Sequence, residues 1–134
     1  MTKETKEIIR AEDVMRQNVI FIDGMATAKE AAATMKNHQV YCLLVKKRHP
    51  DDAWGMVAVQ DLVREVLAPG RTPEEVHVYE IMSKPVITVP AQMDIRYVAR
   101  LLYRAGVRRA PVEDNGNILG MVSLSSLILE NDLF

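Results

Sequence analysis

The sequence predicts an α+β fold built from two copies of one strand-helix-strand-strand-helix unit (β-α-β-β-α), with short sheets covered by helices. Three observations predict it. Apolar and capping residues recur at a fixed separation of 67 positions: Val14-Met15 with Ile81-Met82, Val19-Ile20 with Val86-Ile87, Thr27 with Asp94, Val40 with Val107, and Val45 with Val112. Gly55-Met56-Val57 then matches Gly120-Met121-Val122 at a separation of 65, so the first copy carries two additional residues, most simply in the loop from His49 to Asp52. Each copy also holds a run with helical period, Ala28, Ala31, Ala32 and Met35 in one, Ile95, Val98, Ala99 and Leu102 in the other. A period this long marks a duplicated supersecondary unit whose halves each expose an apolar sheet face. The expectation is one body with a pseudo-twofold axis and clefts between repeats spanning residues 8–68 and 72–134.

The elements follow in order. Residues 1–7 are polar and expected to be loose, and residues 8–15 form a short helical segment. Val19-Ile20-Phe21-Ile22 is a short apolar run that reads as a buried strand. Thr27 with Glu30 three residues later has capping-box spacing and starts the next helix. Residues 40–45 are a strand, the turn-rich loop 48–52 returns it as a hairpin, and residues 54–59 are the second strand. A helix over residues 61–67 is stopped by Ala68-Pro69-Gly70-Arg71. Thr72, Pro73 and Glu75 restart a helix toward Met82.

In the second copy, residues 86–89 are the strand and Asp94 caps the helix. Gly106 ends that helix where a left-handed residue is needed. Residues 107–112 form a strand, Asp114-Asn115-Gly116-Asn117 turns it, and residues 118–123 complete the hairpin. A last helix runs over residues 124–131.

The 134 residues carry a net charge of -1 with both signs interspersed, so no basic field favours nucleic acid. The single Cys42 excludes an intramolecular disulfide and fits a reducing compartment. No apolar run approaches the ~20 residues that span a bilayer, and the first residues lack a signal-peptide core. A cytoplasmic protein with no membrane contact is expected.

Catalytic and metal chemistry find no support. His38, His49 and His77 are scattered and give, with Cys42, no ligand spacing. No Ser/His/Asp or Cys/His arrangement and no phosphate-binding glycine loop is present, and Ser125-Ser126 sits at a helix start. The methionines read as core, and Trp54 reads as hydrophobic filler beside the longer loop.

The chain resembles a tandem pair of cystathionine-β-synthase-type (CBS) domains, the Bateman module. The resemblance rests on Asp13-Val14-Met15 and Glu80-Ile81-Met82 before each first strand, on Val86-Ile87-Thr88-Val89, on residues 106–112, and on the two Gly-Met-Val strands. It implies a non-enzymatic regulatory module that senses adenosine derivatives, requires no cofactor, forms a homodimer through its helices, and passes its output to a separate effector protein. It also implies site residues. Asp61 stands where the family's aspartate accepts both ribose hydroxyls, and Arg108 and Arg109 stand at phosphate-facing positions just before Pro111. Val86, Ile87 and Thr88 are implied on the adenine side, with Met56 and Ala58 below.

Two departures accompany the match. Ala58 replaces a Ser or Thr, and Ser126 replaces the second copy's aspartate, although Ser123 is present. Tyr41 and Cys42 occupy the positions that match the two arginines, so a second, weaker cleft is expected around Ile20, Phe21, Tyr41, Ser123 and Ser126. The favoured ligand is AMP, ADP or ATP. The alternatives are a ligand-free dimerisation scaffold, or the same cleft holding S-adenosylmethionine or NAD. Each residue also has a plain structural role open to it. Asp61 in a first helical turn is stabilised by the helix dipole without any ligand, and the arginines can pair with Glu113 or Asp114 at little gain.

Overall fold

A computed structural model describes residues 7–134, so the expectation of a loose N-terminus falls almost entirely outside the described residues. The chain forms two compact units. One is the continuous stretch Ile20–Val86, and the other joins the described residues up to Val19 to Ile87–Phe134.

In the continuous unit, β1 (Phe21–Ile22) pairs parallel with β2 (Cys42–Val45), and β2 pairs antiparallel with β3 (Gly55–Ala58). Between them runs α2 (Ala28–His38), preceded in the chain by α1 (Ala11–Val14) of the other unit. Thr27 accepts from the Glu30 N–H at 3.1 Å while Glu30 accepts from the Thr27 N–H at 2.8 Å, the expected capping box. Ala28, Ala31 and Met35 face a core completed by Leu43, Val45, Val57, Val66 and Val78.

The second unit repeats this order. β4 (Val89–Pro90) pairs parallel with β5 (Arg109–Asp114), which pairs antiparallel with β6 (Asn117–Ser123), and α5 (Ile95–Ala105) covers the sheet. Val98, Leu102, Val112 and Val122 are fully buried there, and each aliphatic side chain of that size contributes about 1.5–3 kcal/mol on burial. The β5–β6 turn is carried by Asn115 (φ 52°) and Gly116 (φ 82°). Gly106 closes α5 in the left-handed region as expected, and Gln39 holds the matching place after α2 at φ 55°.

Several expected elements are shorter than the sequence suggests: the strand over residues 19–22 is Phe21–Ile22, the strand over 40–45 is Cys42–Val45, and the last helix ends at Leu129. Three further elements are shortened for one shared reason. The helix expected over residues 8–15 covers only Ala11–Val14, and the one expected from Thr72 to Met82 splits into a 3₁₀ turn, Pro73–Glu75, and α4, Val78–Ile81. The intervening backbone is committed elsewhere. Ala28 N–H donates to the Val76 carbonyl and Val78 N–H to the Ala26 carbonyl, while Ile95 N–H donates to Ile9 and Ala11 N–H to Met93. These bonds match one another at 67 positions. The expected strand over residues 86–89 likewise reduces to its last residue plus Pro90, because Val86 N–H is spent on the Trp54 carbonyl.

The lead-in segment of each sequence repeat therefore folds onto the other repeat. Arg16 and Met121 exchange two backbone bonds of 2.8 Å, and Met56 and Ser83 exchange two of 2.9 Å. This is why Gly120 must be glycine and why Gly55 is closely packed. A Cβ on Gly120 would lie 2.6 Å from the Arg16 carbonyl oxygen, and one on Gly55 would lie 3.0 Å from the Met82 sulfur.

Candidate functional site

Asp61 lies in the first turn of α3 (Val59–Leu62), the short helix that leaves β3, and a π-helical turn, Val63–Leu67, continues it in place of the expected regular helix. The residue is 4% exposed. One oxygen accepts the Ala58 N–H at 2.7 Å and the other accepts from the Arg64 guanidinium at 2.9 Å. Ala58 offers no side-chain cap, so the carboxylate alone closes this end of the helix. The Arg64 guanidinium is held above its ordinary value by its bond to Glu65 first and by Asp61 second. Arg64 was not foreseen in the sequence, although its i,i+3 spacing from Asp61 was a legible signal.

The same corner in the second unit joins β6 to α6 (Leu124–Leu129). Ser126 is fully buried, accepts the Ser123 N–H at 2.8 Å and donates to the Ser123 carbonyl at 3.0 Å. Ser123 accepts the Ser126 N–H at 3.2 Å. The polar side chains of Ser123 and Ser126 thus bond each other's backbone.

Arg108 precedes β5 and is exposed; Arg109 opens β5, opposite Ser123, and is half-buried. Neither guanidinium has a hydrogen-bonding or ion-pairing partner among the described residues. Glu113, one partner open to them, instead accepts from the Thr88 hydroxyl at 2.9 Å. Pro111 is fully buried within β5.

The structure divides the expected site residues between its units. Met56, Ala58, Asp61 and Val86 belong to the continuous unit, together with Ile20, Phe21 and Tyr41; Ile87, Thr88, Arg108, Arg109, Pro111, Ser123 and Ser126 belong to the other. Met56 and Val86 are half-buried, whereas Ile87 and Phe21 are 39% and 38% exposed, and Tyr41 is 72% exposed. Thr88 and Glu113 also border a cavity of about 330 Å³ at the β5–β6 turn. Trp54 packs against Phe21 at 5.7 Å between ring centroids and carries the Lys47 ammonium 5.1 Å from its ring. No group of three or more His, Cys, Asp or Glu able to hold a metal ion occurs among the described residues. None of their helices is long and apolar enough to cross a membrane.

Comparison with known proteins gives this geometry a family. An uncharacterized protein of Methanopyrus kandleri is 34% identical over 87% of this chain, which spans 59% of that relative's length. The CBS domain-containing protein YhcV of Bacillus subtilis is 28% identical over 87% of this chain and 81% of its own. A solved hexameric CBS-CP12 protein from bloom-forming cyanobacteria superposes with a TM-score of 0.89 at 38% identity, covering 92% of this chain and 68% of that one. The CBS domain profile matches residues 11–68 and 78–131. The chain belongs to the CBS domain family and carries two copies of that domain.

Proposed function

We propose that this chain is a regulatory module for a phosphate-bearing adenosine ligand, AMP, ADP or ATP, with Asp61 receiving the ribose and Arg108 and Arg109 the phosphates. CBS pairs generally serve as regulatory modules for adenosine ligands. The observation that carries the finer reading is the state of the two arginines. They have no partner among the described residues, and they stand where the first repeat has Tyr41 and Cys42, which cannot neutralise a phosphate. Asp61 suits the ribose because an ionised carboxylate only accepts, and vicinal hydroxyls donate to both oxygens. Its buried Ala58 bond is structural. The Arg64 side chain, 60% exposed, is the partner a ribose displaces.

A second reading rests on a different observation. Val59, Val63 and Leu67 are 42%, 47% and 73% exposed at i, i+4, i+8, and Leu124 and Ile128, their counterparts 65 positions on, are each 42% exposed. Such stripes suit association with a second copy, and the cyanobacterial CBS-CP12 relative is described as hexameric. Self-association through these helices, with the signal passed to a separate effector protein, is compatible with ligand sensing; alone, it makes the module a scaffold.

Calorimetric titration with AMP, ADP, ATP and S-adenosylmethionine tests the proposal. Heat is expected with the nucleotides. Arg108→Ala with Arg109→Ala weakens binding by about 1.5–3 kcal/mol per charged hydrogen bond lost, more for ATP than for AMP and more at low salt. Heat from none of the ligands leaves the scaffold. Heat from S-adenosylmethionine alone, indifferent to the arginine changes, assigns the site to another adenosyl ligand.

A further inference from the structure

Helix α5 has a solvent face of one composition. Ile95, Val98 and Leu102 point into the core, and the exposed positions are Arg96, Tyr97, Arg100, Tyr103 and Arg104, all arginine or tyrosine. Tyr97 is 54% and Tyr103 87% exposed. Arg96 is paired with Asp94 at 2.7 Å, and the Arg100 guanidinium lies 5.2 Å from the Tyr97 ring centroid. Neither Arg100 nor Arg104 meets a carboxylate among the described residues. The fold does not require this face, because α2 builds the same helix with Lys29, Glu30, Ala33, Lys36 and Asn37 at the matching positions. Tyrosine and arginine are the residues that interface centres favour, since each covers much area and carries a polar tip.

The complementary surface lies in the same unit. At the opposite end of α5, a cavity of about 800 Å³ is bordered by Glu7, Asp13, Asp94, Glu130 and Asp132, against Arg96 as the one cation of its lining. That volume suits a drug-sized molecule and so admits side chains as long as Tyr103 and Arg104. Asp13, Asp94 and Glu130 are engaged by Arg10 N–H, Arg96 and Arg16. Glu7 and Asp132 have no side-chain partner among the described residues. Ten residues of rigid helix, about 15 Å of rise, separate Arg104 from Asp94, beyond the reach of the two side chains within one copy.

We propose that the Arg/Tyr face of α5 in one copy docks into the acidic cavity of a second copy. The two surfaces differ, so the contact is head-to-tail and repeats from copy to copy. It is distinct from the apolar stripes on the other helices and independent of the ligand reading. The net charge of -1 favours this occupant over a polyanion, because the chain as a whole supplies no long-range field to gather one.

Light scattering of the full chain at about 50 mM and 500 mM salt, where screening lengths differ by roughly threefold, reads the contact separately from apolar association. The expected result is a larger mass at low salt. Arg100→Glu with Arg104→Glu abolishes that increment, and so does Glu7→Lys with Asp132→Lys, each with an unchanged circular dichroism spectrum. Mixing the two variants restores association that neither shows alone, because the intact cavity of the first receives the intact face of the second and the reversed charges are again opposite in sign at the other junction. A mass indifferent to salt, or a mixture that does not associate, overturns the proposal. So does a 12-nucleotide single strand whose binding depends on the arginines while the cavity variant behaves as wild type, for that makes the face a nucleic-acid surface.

Discussion

Asp61 and Ser126, 65 positions apart, make the same hydrogen bond in the two copies: each accepts the backbone N–H of the residue three before it, Ala58 at 2.7 Å and Ser123 at 2.8 Å. The bond helps close the N-terminus of a short helix that leaves an edge strand of its sheet directly. One copy uses a carboxylate and the other a hydroxyl. The structural duty of the position is common to both, and the charge is particular to Asp61.

That relationship separates folding from binding at position 61. Asp61→Ser is expected to keep the cap, as Ser126 does, with stability within about 1 kcal/mol of the parent. Asp61→Ala loses the cap and strands the buried Ala58 N–H, at a cost of about 1–3 kcal/mol. Both should weaken AMP and ATP binding equally, since both remove the carboxylate proposed to receive the ribose. Urea unfolding and calorimetry on the same preparations check this. Wild-type affinity in Asp61→Ser would remove the ribose role, and a loss of affinity in Ser126→Ala as large as in Asp61→Ala would transfer it to the other corner.

The crossing backbone at Gly120 makes a second prediction. Gly120→Ala drives a methyl group against the Arg16 carbonyl at 2.6 Å and should destabilise by about 1–3 kcal/mol, at the expense of the Arg16–Met121 bonds. Gly55→Ala should cost less, because its nearest neighbour is the Met82 sulfur at 3.0 Å, the far part of a flexible side chain. Equal midpoints for the two variants in urea would contradict this ordering.

Gln39 and Gly106 hold matching left-handed caps at φ 55° and 71°, and only one is glycine. Gln39→Gly should raise stability by about 0.5–1 kcal/mol by relieving the Cβ penalty. Gly106→Gln should lower it by a similar amount. Thermal unfolding followed by circular dichroism reads both, and a destabilised Gln39→Gly would show that the Gln39 side chain contributes more than its backbone costs.

Much of this molecule is local and therefore legible in the sequence. The capping box at Thr27 and Glu30, the Asp94 cap, the left-handed Gly106, the Asn115-Gly116 turn and the apolar faces of α2 and α5 depend on residues within one or two turns of each other. Spacing alone states them, and the offsets of 67 and 65 state the duplication. What tertiary structure decided is where backbone groups with no local partner find one. Residues 9–16 bond to residues 93–95 and 121, and residues 76–83 bond to residues 26–28 and 56, so the lead-in helices stop short and Gly120 becomes obligatory. No periodicity announces bonds between segments so far apart in the chain, from Met56 with Ser83 to Arg16 with Met121. The same holds at the site: the sequence singled out Asp61 and the two arginines, and the folded chain decided that the carboxylate is tied to Ala58 and Arg64 while Arg108 and Arg109 are left without a partner among the described residues. Charge and order along the chain are properties of sequence, but satisfaction of each polar group is a property of the packed structure, where every buried donor must meet an acceptor.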